Sequence, residues 1–345
     1  MRNVLVLGAF GYSNNQLDGQ TIKTRSVYNL IKKNYIGETI MFDTLDIKSK
    51  PYLYLHLLWK LTNINTLIFI PAENGIAFLL PILFFLSKIF RFSIVCVCVG
   101  GWQIEFFLGE YTGKSHIFQM KVCRKIKAFL PEMKSVNEKL INNFGFNNTE
   151  VFPNFRDFKI LDKTNNSQKL KIVFMARIQK KKGYPAVFKL AEYIEETKIN
   201  ADITFFGQIK EEELDHFKYF LNRYKNTVSY GGELNPADIQ KTLSNYDVLL
   251  LPTSYYTEGF PGSILDAYIS GIPVIVTEWK HSHEFVDDGV TGFIVPFENG
   301  QQELNERIDE LYSNRTKLSE MKKAAKKKSL EFCSDAAWSV LKKYL

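Results

Sequence analysis

The densest group of chemically capable residues lies in Thr253–Val276, TSYYTEGFPGSILDAYISGIPVIV. Pro261 stands where a first helical residue would, because its missing N–H costs nothing there. Gly271, with Pro273 beyond it, marks the helix end and opens the next strand. The amides of Gly262 and Ser263 then have no intrahelical acceptor, and together with the positive helix end they make an anion site. Gly259 and Gly262 leave backbone room around this helix start. Asp266, four residues past Gly262, shares its helix face. A phosphate docked on Gly262 would bring a ribose to the Asp266 carboxylate, and Glu258 would flank the same phosphate. The plain alternative is a strand–turn–helix with surface acids; two acids and two glycines around one helix start weigh against it.

A second stretch, Lys171–Gly183 (KIVFMARIQKKKG), reads as a buried strand with Arg177 at its carboxyl end and Lys182 just before Gly183 and a helix. Both cations would stand where open α/β sheets bind ligands. Arg can fork onto phosphate oxygens and Lys supplies a point charge, although three consecutive lysines also fit a solvated loop. The third stretch is Gly8–Arg25 (GAFGYSNNQLDGQTIKTR), a glycine-rich turn after the first strand. It lacks the G-x-G-x-x-G dinucleotide fingerprint; Gly19, Gln20 and Thr21 at the helix start are its expected contacts.

These stretches need a scaffold of strands ending at a common edge. The 345 residues suffice for two domains, and 46% hydrophobic with 23% charged residues is ordinary globular usage. Short apolar runs alternate with helical patterns, the mark of parallel α/β layers. Strands are expected at Asn3–Gly8, Thr39–Asp43, Thr66–Pro71, Ser93–Val99, Lys127–Leu130 and Glu150–Phe152. The second half adds Lys171–Met175, Asp202–Phe206, Thr227–Tyr230, Val248–Leu251, Pro273–Thr277 and Gly292–Val295. A helix is expected at Pro236–Leu243 and a long one at Gln301–Ser329. Residues 1–155 form one doubly wound domain, 156–168 a linker, 169–329 a second domain, and 330–345 a terminal helix that packs back on the first domain. A cleft is expected between the carboxyl ends of the two sheets.

All of the +7 net charge falls in residues 1–155, which hold 17 Lys and Arg against 10 Asp and Glu. An anionic membrane or an anionic small substrate explains this; no nucleic-acid motif accompanies it, so nucleic acid is not an expected partner. The run Lys322–Lys328 reads as a solvated helix face. The Met1–Gly8 start carries no secretory pattern, and Ile76–Phe90 is too short to span a bilayer. Cys96, Cys98, Cys123 and Cys333 show no metal spacing, and His281 with His283 reads as loop polars for want of a third ligand.

Taken together, the residues resemble the retaining family 4 glycosyltransferases (glycosyl transferases group 1) of GT-B fold, in particular the capsule and exopolysaccharide type. GT-B implies two Rossmann-like domains facing a cleft. Glu258 and Asp266 look like that family's E-x7-E, embedded as EGFPGSILDAYISGIPVI. Arg177 and Lys182 match the cations of G-R-L-x-x-x-K-G. His283–Pro296 resembles the E-I-V-x-D-G-x-T-G-x-L-V segment, and Val151-Phe-Pro-Asn154 the V-I-P-N that ends the first domain. The resemblance implies Arg177, Lys182 and Glu258 as the catalytic set. It assigns Arg177 and Lys182 to the donor diphosphate, Glu258 to the transferred sugar and Asp266 to the ribose. Gly19, Gln20, Gly259, Phe260, Gly262 and Ser263 complete the donor site. Two positions depart from the pattern. Asp266 is one methylene shorter than Glu, and Gly100-Gly101-Trp102 stands where many members carry His; these three are the acceptor-side candidates.

The implied reaction moves a sugar from a nucleotide sugar, with UDP favoured by family frequency, to a hydroxyl of a glycan or a polyprenyl-diphosphate-linked sugar. Configuration is retained and no metal is expected, since no D-x-D follows a strand. A nucleotide-sugar hydrolase or epimerase of GT-B fold, and a non-catalytic nucleotide-binding protein, are the alternatives. For Ile76–Phe90 a buried crossover helix is the plainer account. Lys88, Arg91, Arg124, Lys125 and Lys127 nevertheless favour an anionic membrane surface, hence a cytoplasmic protein peripheral to the inner face of the cell membrane.

Overall fold

The computed structural model describes residues 3–13, 16, 18–50, 52–72, 75–100, 114–158 and 168–345. The chain divides into two compact units, Met1–Asp157 with Phe332–Leu345, and Phe158–Glu331.

In the first unit β1 (Val4–Gly8), β2 (Thr39–Asp43), β3 (Thr66–Ile70), β4 (Ser93–Val97) and β5 (Ala128–Leu130) pair in parallel, in the order β2-β1-β3-β4-β5. β1 and β3 are buried at every position, so their sequences are near-continuous apolar runs rather than alternations. Between the strands lie α1 (Gly19–Asn34), α2 (Leu45–Ser49), α3 (Leu53–Leu61), α4 (Gly75–Phe90) and α5 (Lys114–Lys125), and α6 (Lys134–Phe144) follows β5. Asp18 and Thr21 start α1 with a reciprocal capping box. The β1–β2 crossover runs one way across the sheet and the later crossovers the other. Right-handed connections therefore put α1 on one face and α3, α4 and α5 on the opposite face. On the α1 face, Val27, Leu30 and Ile31 pack against Val4, Val6 and Ile68.

The second unit has six parallel strands, β6 (Leu170–Met175), β7 (Ala201–Phe206), β8 (Val228–Tyr230), β9 (Val248–Leu251), β10 (Val274–Thr277) and β11 (Gly292–Val295), in the order β11-β10-β9-β6-β7-β8. Its helices are α7 (Tyr184–Thr197), α8 (Leu214–Arg223), α9 (Ile239–Leu243), α10 (Gly262–Ile269), α11 (Ser282–Phe285), α12 (Gln301–Ser313) and α13 (Arg315–Ser329). The Phe-rich composition is spent here: Phe188 meets Phe205 at 5.0 Å and Phe217 at 5.5 Å within one buried cluster. The terminal helix α14 (Ser334–Leu341) belongs to the first unit, where Ala337 and Leu341 join the α1-side core. No described helix is long and apolar enough to cross a membrane.

Several expectations fail for local reasons. Glu150–Phe152 is not a strand; a single bridge joins Thr149 to Phe129, and the Phe152 amide turns instead to the carbonyl oxygen of Pro131 at 2.7 Å. The long helix expected over Gln301–Ser329 breaks at Asn314, whose side chain caps α13 by accepting from the Lys317 amide. At Pro236–Leu243 only Ile239–Leu243 is helical, because Asn235 and Asp238 close a turn first. The lysine run is not simply solvated: Lys322 pairs with buried Asp247 at 2.6 Å, and Lys328 with Asp287 at 3.1 Å. The other strands lie within two residues of expectation.

An unforeseen polar knot lies inside the first unit. Lys23 of α1 is buried and donates to the carbonyl oxygens of Phe152 at 3.0 Å and Pro153 at 2.5 Å, with Glu132 at 3.7 Å. Burial pushes the Lys23 ammonium down to about 8, against the opposing pull of Glu132. The unfolded chain, with lysine near 10.5, therefore binds more protons than the native state between pH 8 and 10.5, and stability rises with pH across that window. Lys23→Met should cost about 3–5 kcal/mol at neutral pH, because it breaks a buried ion pair by removing one partner. The gap to wild type should widen from pH 8 to pH 10.5. Urea unfolding midpoints of both proteins at the two pH values check this; a gap that stays level contradicts it.

Candidate functional site

In the second unit the crossovers run outward from β6 through β7 to β8, then reverse to β9, β10 and β11. The reversal makes the carboxyl ends of β6 and β9 a topological switch point, the crevice where open α/β sheets take ligands. Phe174 stands opposite Leu250 in the register. The chain therefore leaves both strands at the same height, and the loops bearing Arg177–Gly183 and Pro252–Gly262 rise side by side.

The two loops are tied together through backbone. Lys180–Lys182 forms a 3-10 turn. The Lys181 carbonyl oxygen accepts from the Thr253 hydroxyl at 2.9 Å and from the Ser254 amide at 3.0 Å. Gly183 follows at φ 87°, and a Cβ built on it would lie 1.8 Å from the Pro252 carbonyl oxygen. From below, Glu213 accepts from the Lys180 amide at 3.0 Å and from the buried Tyr184 hydroxyl at 2.8 Å. Burial works to raise the Glu213 pKa, but these two donors together with the neighbouring positive charge of Lys180 and His216 hold the carboxyl below its ordinary value. Burial also pushes the Tyr184 hydroxyl up, assisted by Glu213. Sequence reasoning missed Glu213, since nothing in the run Glu211-Glu212-Glu213 marks which acid turns inward.

This frame sets Lys182 against Glu258 in an ion pair whose side chains are 15% and 13% exposed. Arg177 is exposed at the carboxyl end of β6. Helix α10 begins at Gly262, with Pro261 as its N-cap rather than its first residue, and no side chain caps it. Gly262 and Ser263 thus present the first-turn amides, next to half-buried Gly259. Asp266 is one turn further in and only 5% exposed. The Phe260 ring is buried and stacked on Phe285 at 4.1 Å, so its backbone rather than its ring can face a ligand. Chemically, the switch point offers two cations, an uncapped helix start and a carboxylate already paired to one cation. That set suits a diphosphate with a polar group beside it.

In the first unit the corresponding reversal lies between β1 and β3. Gly19 opens α1 with free space around its α-carbon, and Gln20 donates to the Ile70 carbonyl oxygen at the end of β3 at 3.3 Å. The preceding loop is held by two residues given no role from sequence. Asp43 accepts from the amides of Phe10 at 3.0 Å and Gly11 at 2.8 Å, while Arg25 donates to the carbonyl oxygens of Phe10 and Gly11 at 2.7 and 2.9 Å. Gly100 adopts φ 74° and donates to Glu132 at 3.1 Å. Gly101 and Trp102 lie outside the described residues. His281 is buried and faces Glu284 at 3.4 Å, whereas exposed His283 meets Glu278 at 2.9 Å. Among the described residues no three His, Cys, Asp or Glu side chains gather into a metal-ligand group.

Comparison with known proteins bears on the fold and the family. The structure is similar to HepE from Anabaena solved in complex with UDP, with a TM-score of 0.75 at 14% identity over 99% of both chains. In sequence it is similar to an uncharacterized 41.2 kDa protein in the cps region of Klebsiella pneumoniae, 27% identical over 39% of this chain and 35% of that one. A second relative is the N,N'-diacetylbacillosaminyl-diphospho-undecaprenol alpha-1,3-N-acetylgalactosaminyltransferase of Campylobacter jejuni, 26% identical over 56% of this chain and 50% of that one. The matches thus span between a third and a half of these curated relatives. The fold class is GT-B, two parallel α/β domains. Residues 156–328, which hold every element of the switch-point site, match the family Glycosyl transferases group 1, and the chain belongs to that family.

Proposed function

We propose that the protein transfers a sugar from a UDP-sugar, with retention of configuration and without a protein-held metal ion, to a hydroxyl of a glycan or a polyprenyl-diphosphate-linked sugar. The observation that carries this reading is the Lys182–Glu258 pair beside the uncapped start of α10. A sugar diphosphate has its anionic and polyol parts adjacent, and here a cation and a carboxylate are adjacent too. The UDP of the HepE complex supports the nucleotide, and the diphospho-undecaprenol in the name of the Campylobacter relative supports the acceptor class. Such an acceptor would hold the enzyme at the cytoplasmic face of a membrane.

In the reaction, the bond from the anomeric carbon to the β-phosphate oxygen breaks, and its electron pair leaves with the diphosphate. Arg177, Lys182 and the amides of Gly262 and Ser263 stabilise the charge that grows there. The acceptor oxygen bonds to the anomeric carbon on the same face, and its proton passes to the departing phosphate oxygen. Glu258 holds the sugar hydroxyls, and Asp266 lies toward the ribose. The decisive assay supplies a panel of nucleotide sugars with and without a lipid-linked acceptor. Transfer only in the presence of acceptor fits, whereas equal UDP release without it assigns hydrolysis.

Charge-assisted hydrogen bonds contribute about 1.5–3 kcal/mol each. Arg177→Ala and Lys182→Ala should therefore weaken UDP binding about 10–100-fold with no divalent metal added. Lys182→Ala should be the worse, since it leaves Glu258 facing the phosphates alone. Calorimetry giving wild-type affinity in both variants removes the assignment.

The two acids separate by their readouts. Glu258→Gln should leave UDP affinity intact or tighter, because the competing acid is gone, while turnover falls about 100-fold or more. Asp266→Asn should weaken UDP itself about tenfold. Finding these effects exchanged between the variants would refute the division of roles.

A further inference from the structure

Three helices on one face of the first unit's sheet carry an apolar outer surface. In α4 the stripe Ile76, Leu80 and Leu83 is buried, yet the opposite stripe, Phe78, Ile82, Phe85 and Ile89, is equally apolar and exposed. A helix apolar all round normally has both sides covered; here Phe78 is 71% exposed and Phe85 66%. On α3, Leu57 and Leu61 turn inward while Leu55 and Trp59 are 72% and 63% exposed. α5 packs beside α4, Gln119 donating to the Ala77 carbonyl oxygen at 2.9 Å. Exposed apolar surface on this scale marks an interaction site rather than scattered surface residues.

The charge pattern selects the occupant. None of the three helices contains an acidic residue. Besides Lys121 on the exposed side of α5 and Lys114 at its start, their cations sit in the last turns, Lys60 on α3, Lys88 on α4, and Arg124 with Lys125 on α5. Because all three helices return antiparallel to parallel strands, these ends share one edge of the layer, joined there by exposed Arg91. A second copy docked face to face would set this basic edge against basic residues and is disfavoured. An anionic lipid surface takes both parts, apolar side chains entering the acyl boundary and cations meeting headgroups.

We propose that the outer surface of α3, α4 and α5 is a membrane-docking face for anionic bilayers, with Leu55, Trp59, Phe78, Ile82, Phe85 and Ile89 as the inserting side chains. As the place where the enzyme meets a lipid-borne acceptor it rests on the transferase reading; as a lipid-binding face it stands alone. The test is co-sedimentation of the full chain with vesicles of phosphatidylglycerol and phosphatidylcholine, against phosphatidylcholine alone, over a salt series. Binding should require the anionic lipid and weaken with salt. The exposed-residue variant Phe78→Ser/Phe85→Ser should bind at least about tenfold less. Lys88→Glu/Lys125→Glu should lose about fivefold per cation at low salt. Both variants should keep wild-type UDP affinity, which reports an intact fold and site. Absence of binding at low salt, or undiminished binding by the phenylalanine variant, overturns the face. So does a wild-type dimer in ultracentrifugation that the phenylalanine variant dissociates, because the face would then belong to a second copy. Vesicle binding with no nucleotide binding would instead sink the transferase reading and leave the docking face standing.

Discussion

The turn that carries Lys182 holds its shape because residue 183 has no side chain. Its α-carbon stands so close to the Pro252 carbonyl that a methyl group would overlap the oxygen, and its positive φ is one that other residues adopt only with strain. That contact lets the Lys181 carbonyl reach the Thr253 hydroxyl and Ser254 amide. Two loops separated in sequence thereby become one backbone unit. The position of Lys182 and its pairing with Glu258 depend on this, while the β6–β9 register sets the height at which Arg177 leaves β6. A helix start alone would bind an anion weakly and without direction; fixed cations beside it define where the anion must lie.

The ion pair at this site also has a sign that suits exchange. Lys182 and Glu258 are partly rather than fully buried, so neither charge is locked into a low-dielectric interior, and separating them does not strand one. In the proposed reaction a diphosphate arriving beside Lys182 would replace one anionic partner with a stronger one and release the carboxylate toward whatever is bonded to that phosphate. Buried Lys23 and Glu132 show the opposite arrangement. Their pair is tied to the carbonyls of Phe152 and Pro153 and to the Gly100 amide, which makes it a fastening for chain segments.

What the sequence revealed, and what it concealed, divides along the range of the interactions. Strands buried on both faces are near-continuous apolar runs, so β1, β3 and β9 could be located from Val, Leu, Ile and Phe content alone. Arg177, Lys182, Glu258 and Gly262 could be singled out because chemical type, helix punctuation and family pattern coincide. Glu213, Asp43, Arg25, Lys23 and Glu132 could not, because each acts on backbone atoms of a segment remote in sequence. No local period distinguishes such residues from solvated ones. The same limit explains the lysine run, where Lys322 finds an Asp247 that is 75 residues away. The break at Asn314 escaped notice for a different reason: apolar spacing continues across it through Ile308, Leu311, Leu318 and Met321, all buried.

Asp266 shows how the departure from the family pattern bears on the pocket. Its carboxylate is almost closed to solvent, whereas Gly262 one turn earlier is half-buried. A glutamate at this position would extend one methylene further along the same face of α10. The shorter acid therefore sets the polar group deeper, and the phosphate end of the site stays nearer the surface than its floor. A nucleoside diphosphate, as proposed, would fit that gradient in one orientation, since its phosphates need the open cations while its ribose tolerates burial when its hydroxyls are hydrogen-bonded. Under the proposed function the depth of Asp266 would be a directional element, with the sugar on the outer phosphate toward Glu258 rather than the helix interior.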